Sequence, residues 1–272
     1  MMEGHISEFI THVSNNGNKC YQQFGIKDFD KVLNGIRPGE VVTLLGESGS
    51  GRTGCAIRMM DFLAVDNSVP ILYFCCNYDA ENILCRLLSF RYGLAFRPTL
   101  KELRIANTES VINDGLNELS KAPLFISAAS YFSIEDIEEK CKRFVEQEQV
   151  RFVFVHILYL DYDIENAQKL KQLARNLSIS IIVFDDIFEY REGVDGIKPI
   201  LRDLNYDRLN EYSDIVIGFC NYSSNHIYED ERGIDLRDVI GIEILKGRKK
   251  EDLVSFYIPQ ESLYKKNYYT PF

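Results

Sequence analysis

One apolar segment, together with the glycine-rich turn after it, constrains this chain more than any other feature. Residues 41–45 are apolar or β-branched, and they lead into the pattern G-x-x-x-x-G followed by Arg52 and Thr53. A strand, a glycine-rich turn and a helix in this order form a phosphate-binding loop (P-loop), because backbone N–H groups and a helix N-terminus converge on phosphate oxygens. The predicted nucleotide-binding residues are Gly46, Glu47, Ser48, Gly49, Ser50, Gly51, Arg52 and Thr53.

Position 52 departs from the P-loop pattern, which has Lys before the Thr. Lys carries a compact charge on a thin stem, whereas the guanidinium of Arg52 is planar, wider and forked, so the two do not fill one slot equivalently. The backbone donors of the loop are unchanged, and the Thr53 hydroxyl is the candidate metal ligand. Taken alone, Arg52 is compatible with nucleotide binding and slow turnover.

Short apolar runs alternate with helical patterns along the chain. The runs are rich in β-branched residues and are bounded by polar or turn residues. This alternation predicts an α/β fold with a mainly parallel sheet and helices on both faces, and the last two runs predict an antiparallel edge hairpin. The predicted strands are 41–45, 71–75, 124–127, 152–157, 179–184, 215–220, 239–245 and 253–258.

Two helices are predicted from residue spacing. Ser133 is a candidate N-cap with Asp136 three residues later, and an apolar stripe follows it. A second apolar stripe at helical spacing contains Ala167, Leu170, Leu173, Ala174 and Leu177.

The charge balance bears on the partners of the chain. Acidic residues number 41 against 31 basic ones, which gives a net charge of −10. This balance argues against a surface built mainly to hold a nucleic acid backbone, although it does not exclude a local basic groove. The seven cysteines show neither metal-site spacing nor a secreted framework, and no apolar segment is long enough to span a bilayer. We therefore expect reduced thiols, no membrane partner and a cytoplasmic location.

The N-terminal segment 1–21 has its own pattern. Ile6, Phe9, Ile10 and Val13 lie at i, i+3, i+4 and i+7, which predicts an amphipathic helix followed by a polar linker. Two interpretations stay open, namely packing on its own domain and docking on a neighbouring subunit. The predicted organisation is therefore 1–21 as helix and linker and 22–272 as one large domain.

With its flanks included, the P-loop region resembles the C-terminal motor domain of DnaB-type replicative helicases, which has a RecA-like fold. The resemblance covers about residues 22–265, and residues 1–21 do not resemble the globular N-terminal domain of that family. It implies a RecA-like P-loop NTPase fold. The matching segments are 24–30, 35–40, 72–81, 86–88, 123–126, 133–137, 201–204, 214–217 and 244–248.

The resemblance also implies functional positions, and several of them are replaced. The catalytic Glu of the family falls on Asn77, whose amide has no basic lone pair to accept a proton from water. The Asp that holds the Mg²⁺ shell falls on His156, although Mg²⁺ prefers oxygen ligands. The polar sensor falls on or beside Asp186, where a carboxylate would repel a γ-phosphate.

Milder interpretations of these positions stay open. His156 at the end of an apolar strand is typical of a buried, hydrogen-bonded histidine rather than of a ligand. Asp185 and Asp186 fit either a metal approached from the other side or a helix cap or solvated strand end.

The K-x-R motif of the family, which acts as a finger on the nucleotide of the adjacent subunit, falls on Lys246 and Arg248. The alternative is a basic hairpin turn in solvent. The DNA-contacting loops of the family fall on the segments 161–165 and 205–208, which supply little positive charge.

These features predict a DnaB-like domain with a degenerate nucleotide site. The leading hypothesis is a non-hydrolysing or weakly nucleotide-binding paralogue that acts through protein partners in DNA replication, either copies of itself or a helicase-related protein. We expect weak ATP binding with little use of Mg²⁺, and weak binding of single-stranded DNA. The alternatives are a divergent but active ATP-dependent helicase and a nucleotide-sensing regulatory protein. Enzyme activity itself is left undecided by the sequence.

Overall fold

The strands of the described residues form one eight-stranded sheet. A computed structural model describes residues 22–75, 80–95, 99–104, 109–156, 164–186 and 212–266. The strands are β1 Val41–Gly46, β2 Ile71–Cys75, β3 Leu124–Ala128, β4 Phe152–His156, β5 Ser180–Asp186, β6 Ile215–Asn221, β7 Val239–Lys246 and β8 Ser255–Pro259. Their order in the sheet is β3-β2-β4-β5-β1-β6-β7-β8, and neighbouring strands from β3 to β6 run parallel. All eight predicted strands are confirmed.

Helices connect the successive strands from β1 to β5. The helix predicted after Ser133 is confirmed, since Ser133 and Asp136 form a reciprocal capping box at its start. Of the helices that the structure describes, none is both long and apolar enough to cross a membrane. The helices are α1 Lys27–Leu33, α2 Arg52–Met60, α3 Ala80–Tyr92, α4 Leu100–Arg104, α5 Glu109–Leu119, α6 Ile134–Glu148 and α7 Ile164–Leu177.

Two hydrophobic cores lie on opposite faces of the sheet. In β1, Val42 and Leu44 contribute to one core, whereas Val41 and Leu45 contribute to the other. Every residue of β1 is buried, which explains why this strand reads as a continuous apolar run rather than as an alternating one. The predicted sheet with packing on both faces is confirmed.

The last two strands form the predicted antiparallel edge hairpin. β7 runs antiparallel to both β6 and β8, and Val239 pairs with Pro259 at the open end of the hairpin. This hairpin brings Lys246, at the end of β7, level with Val216 near the start of β6. The K-x-R segment therefore lies at the amino ends of the parallel strands, whereas the P-loop lies at their carboxyl ends.

The helix after the P-loop continues as a π-helical turn, Asp61–Asp66. Because π-helical hydrogen bonds join residues five apart, Asp61 and Asp66 lie one turn apart on a common face. Both carboxylates accept hydrogen bonds from Arg91 of α3, at 2.9 and 3.0 Å, and from Lys266, at 2.8 and 2.7 Å. This ion-pair network fixes the chain after β8 against the P-loop helix and α3.

Candidate nucleotide-binding site

The P-loop begins where β1 ends in the middle of the sheet. Gly46 pairs with Asp186 of β5 on one side and with Phe219 of β6 on the other. A Cβ atom at Gly46 would lie 2.6 Å from the Ser50 hydroxyl and 2.8 Å from the Phe219 carbonyl oxygen. Only glycine fits this position without displacing neighbouring atoms, as the G-x-x-x-x-G pattern predicts.

The loop folds back on itself before the helix begins. The Ser50 N–H donates to the Glu47 carbonyl at 3.1 Å, and Gly51 has a φ of 102°, which only glycine adopts readily. α2 then begins at Arg52, and its first turn is closed by the Cys55 N–H donating to the Gly51 carbonyl at 2.9 Å. The helix N-terminus thus follows directly on the loop, which is the arrangement that presents backbone N–H groups to an anion.

The Arg52 side chain packs into the protein. The residue is only 7% exposed, and its Nη1 donates to the backbone carbonyl of Asp185 at 2.5 Å. Asp185 precedes the last residue of β5, the strand beside β1. The guanidinium therefore bridges the start of the P-loop helix and the carboxyl end of the neighbouring strand.

His156 is the last residue of β4 and lies beside the carboxyl end of β5. Its imidazole stacks on the ring of Phe184, the residue with which it pairs across the strands, at 5.7 Å between ring centroids and 7° between planes. The residue is partly buried. An imidazole held flat against an aromatic ring offers no carboxylate oxygen to a Mg²⁺ water shell, so this position does not fit that metal.

The remaining predicted positions are only partly described. Thr53 is partly exposed in the first turn of α2, and Asp185 is buried at 3% exposure. Asn77 lies outside the described residues, and of Asp186 only the backbone is described, at the end of β5. Within the described ranges, no group of three or more His, Cys, Asp or Glu side chains is arranged to hold a metal ion.

Arg248 is bound within its own chain. Its Nε and Nη2 donate to the two carboxylate oxygens of Glu40, each at 2.6 Å, and Nη2 also donates to the Gly35 carbonyl at 2.7 Å. Nη1 donates to the carbonyl of Leu33, the last residue of α1. The side chain is 14% exposed. Arg248 thus joins the turn after β7 to the segment that leads into β1, and its role as a finger on a neighbouring subunit stays a prediction.

Lys246 is also engaged locally. Its Nζ donates to the Ser213 carbonyl at 2.6 Å, and burial, together with the charge of nearby Lys171, lowers its pKa while Asp214 opposes the shift. Lys171 pairs with Asp214. Lys249 and Lys250, in contrast, are exposed.

Sequence reasoning missed three groups that support these sites. They are the Asp185 carbonyl that accepts from Arg52, Glu40 that pairs with Arg248, and Asn221, whose Nδ2 donates to the Gly49 carbonyl of the P-loop at 3.2 Å. Asn221 ends β6, so its position at the same edge as the P-loop was the one available signal. The other two contacts join residues more than 130 positions apart.

The sequence of this chain matches a known protein family. The sequence pattern of the family described as DnaB-like helicase C terminal domain matches residues 23–251. The chain belongs to this family.

Two solved structures resemble this DnaB-like chain across the sheet and helices. One is an ATPase domain, with a TM-score of 0.74 and 16% identity, and the match covers 94% of this chain and 95% of that one. The other is a DnaB-like replicative helicase studied for its interactions with primase, with a TM-score of 0.72, 16% identity and coverage of 94% and 64%. The RecA-like fold is therefore shared over nearly the whole of this chain.

Curated relatives in the DnaB-like family are replicative helicases longer than this chain. Replicative DNA helicase DnaB of Treponema pallidum is 23% identical over 212 residues, which cover 74% of this chain and 48% of the relative. The DnaB of Haemophilus influenzae is 22% identical over 261 residues, covering 89% and 54%. This chain spans about half the length of both relatives.

Proposed function

We propose that this DnaB-like chain is a paralogue with a degenerate nucleotide site, which binds nucleotide weakly without hydrolysing it and acts through protein partners in DNA replication. The observation that carries the proposal is the position of Arg52. Its guanidinium replaces the P-loop lysine and is buried against the Asp185 carbonyl. The side chain at the position of the phosphate-binding lysine therefore binds a backbone carbonyl of its own chain.

Two further positions support the loss of chemistry. The imidazole of His156 stacks on Phe184 where the resemblance places the carboxylate of the metal shell. The resemblance places the general base on Asn77, and an amide cannot accept a proton from the attacking water. Base, metal anchor and phosphate lysine are separate parts of one reaction, so losing all three is costlier than tuning any one of them.

The partner in this proposal is a second copy of the chain or a helicase-related protein. One of the solved structures that share this fold is described with its interactions with primase, and the match covers 94% of this chain. The exposed Lys249 and Lys250 follow the K-x-R segment on the edge hairpin, where the resemblance places a subunit contact. A rim of exposed cations favours partner selection and association rate over raw affinity.

ATP binding is expected to be weak and nearly independent of Mg²⁺. The backbone cradle of the loop and the N-terminus of α2 are formed, whereas His156 offers no oxygen to the metal shell. Calorimetric titration of the wild-type chain with ATP, in Mg²⁺ and then in excess chelator, measures both properties. The expected result is a dissociation constant on the order of 1 mM in either buffer, or about −4 kcal/mol.

The same titration separates the alternatives. Tight ATP binding that disappears when Mg²⁺ is chelated would contradict the proposal and favour the alternative of an active ATP-dependent helicase. Tight binding without turnover would instead support the nucleotide-sensing protein, which the formed P-loop backbone favours. A non-hydrolysable ATP analogue serves as the control that separates binding from hydrolysis.

Single-stranded DNA is expected to bind weakly at physiological salt. The net charge is −10, and affinity for a nucleic acid backbone comes chiefly from cations that neutralise its phosphates. Fluorescence anisotropy with a labelled oligonucleotide at about 50 and 200 mM salt, conditions over which a protein with roughly 6–10 phosphate contacts loses about 10³–10⁵ in affinity, measures this. Tight binding with a steep salt dependence would contradict the expectation.

A matched pair of variants tests whether the exposed lysines of the edge hairpin serve assembly or DNA binding. Changing Lys249 and Lys250 to Gln is expected to disturb assembly more than DNA binding, because both lie on the edge hairpin. Changing Arg232 and Arg237 to Gln is the control, since both are exposed cations tied to neighbouring Asp residues. Sedimentation and anisotropy on the same samples distinguish the two effects.

A further inference from the structure

The P-loop is supported by side chains of its own chain on two sides. On one side, Arg52 reaches from the first turn of α2 to the Asp185 carbonyl of β5 at 2.5 Å. On the other, Asn221 at the end of β6 donates to the Gly49 carbonyl in the loop at 3.2 Å. β5 and β6 are the two strands that flank β1. The loop is thus tied to both neighbours of the strand from which it emerges.

The contact made by Arg52 has the properties of a structural support. The residue is 7% exposed and Asp185 is 3% exposed, so the contact is shielded from water. A buried backbone carbonyl requires a donor, and a hydrogen bond from a charged donor is stronger than one between neutral groups. The fork of a guanidinium spans from a helix to a strand edge, which a single ammonium point charge does less well.

We infer that Arg52 is an internal strut that holds the P-loop in its phosphate-cradling shape in the absence of nucleotide, and that the nucleotide affinity of the loop is low because the strut keeps this cation on the Asp185 carbonyl and away from phosphate. The first half of this inference concerns stability and stands on the geometry alone. The second half rests on the proposed function, because it assumes that the wild-type chain binds ATP weakly. In this view, the residue at position 52 determines whether the P-loop takes its shape from bound nucleotide or from contacts within the chain.

If Arg52 is a strut, Arg52→Lys should lower the stability of the nucleotide-free chain and raise its affinity for ATP. Arg52→Lys removes the forked donor, so it lowers the stability of the nucleotide-free chain, and the compact ammonium becomes available to phosphate oxygens. ATP should therefore stabilise the Arg52→Lys chain and leave the wild type almost unchanged. Arg52→Gln should lower the stability without any gain from ATP, since it supplies no cation.

Arg58 provides a matched control in the same helix. Its Nε donates to the Gly25 carbonyl at 3.1 Å and its Nη1 to the Ser262 carbonyl at 2.5 Å, so it too bridges backbone carbonyls of distant segments. Arg58→Lys should lower the stability in the same way. It should not change the response to ATP, because Arg58 lies in the last turn of α2, away from the loop.

Thermal unfolding of the full chain with and without about 0.3 mM ATP and Mg²⁺, a concentration below the dissociation constant of about 1 mM expected for the wild type, tests the inference. The melting temperatures of Arg52→Lys, Arg52→Gln and Arg58→Lys should each fall by at least about 2 °C without nucleotide. On adding ATP, only the melting temperature of Arg52→Lys should rise again. Calorimetry should show that this variant binds ATP at least about tenfold more tightly than the wild type.

Two outcomes would overturn the strut. They are wild-type stability in nucleotide-free Arg52→Lys, and equal ATP responses of Arg52→Lys and Arg58→Lys. A large ATP-dependent rise in the wild type would overturn the proposed weak binding, while the nucleotide-free melting temperatures would still decide the strut.

Discussion

ATP turnover by this chain is expected to stay well below about 1 s⁻¹, the lower end of ordinary enzyme rates, with or without single-stranded DNA. Loss of a general base alone typically costs ~10²–10⁴-fold, and the resemblance places Asn77 at that position. The resemblance places the metal-shell carboxylate on His156, which stacks on Phe184, and the phosphate cation on Arg52, which donates to the Asp185 carbonyl. Phosphate release measured over hours on purified chain is the assay.

Restoring one part should not restore the reaction. Arg52→Lys returns the cation, but Asn77 and His156 still supply neither the base nor the carboxylate. The quadruple change Arg52→Lys, Asn77→Glu, His156→Asp, Asp186→Gln is the positive control, because it restores the family residue at each replaced position that the resemblance places at the site. DNA-stimulated turnover at or above about 1 s⁻¹ in the wild type would show that this site works by other means.

The fold could be predicted from the sequence because its determinants are local. Each strand is a short apolar run between turn residues, and β1 is continuous because both of its faces are buried. The Ser133 capping box is likewise contained in four consecutive residues. The P-loop position follows from the spacing of Gly46 and Gly51 alone.

The contacts around the site could not be predicted, for two physical reasons. Arg52 binds a backbone carbonyl, which every residue type possesses, so Asp185 carries no signal of its role. Glu40 and Arg248 are 208 positions apart, and no local pattern joins them. The stacking of His156 on Phe184 also depends on strand pairing rather than on spacing along the chain.

The contacts of Arg248 bear on both interpretations of the K-x-R segment, namely a finger on a neighbouring subunit and a basic turn in solvent. A finger on a neighbouring nucleotide needs its guanidinium to extend from the subunit. Arg248 instead donates to both oxygens of Glu40 and to the Leu33 and Gly35 carbonyls. A bidentate pair of this kind is among the strongest side-chain contacts in proteins, so extension would first have to break it.

Arg248→Ala is therefore expected to destabilise the isolated chain strongly. Removing one partner of a buried ion pair typically costs about 3–5 kcal/mol, because the other charge is left uncompensated. Glu40 is 9% exposed, and the change would also remove donors from the carbonyl at the end of α1. Urea unfolding followed by circular dichroism measures the loss, and Arg248→Lys should fall between wild type and Ala because an ammonium cannot donate bidentately.

Two comparisons separate a structural clamp from a finger. Arg237→Ala removes an exposed arginine paired with Asp235, so it should cost at most about 1 kcal/mol. The double change Glu40→Leu, Arg248→Met should recover much of the loss of Arg248→Ala, since it removes both charges of the pair. If Arg248→Ala left the unfolding free energy unchanged but abolished assembly, the ion pair would contribute little to the single chain, and the function of Arg248 would be to contact a neighbouring subunit. A large loss in the dilute single chain, where no neighbour is present, can come only from contacts within the chain.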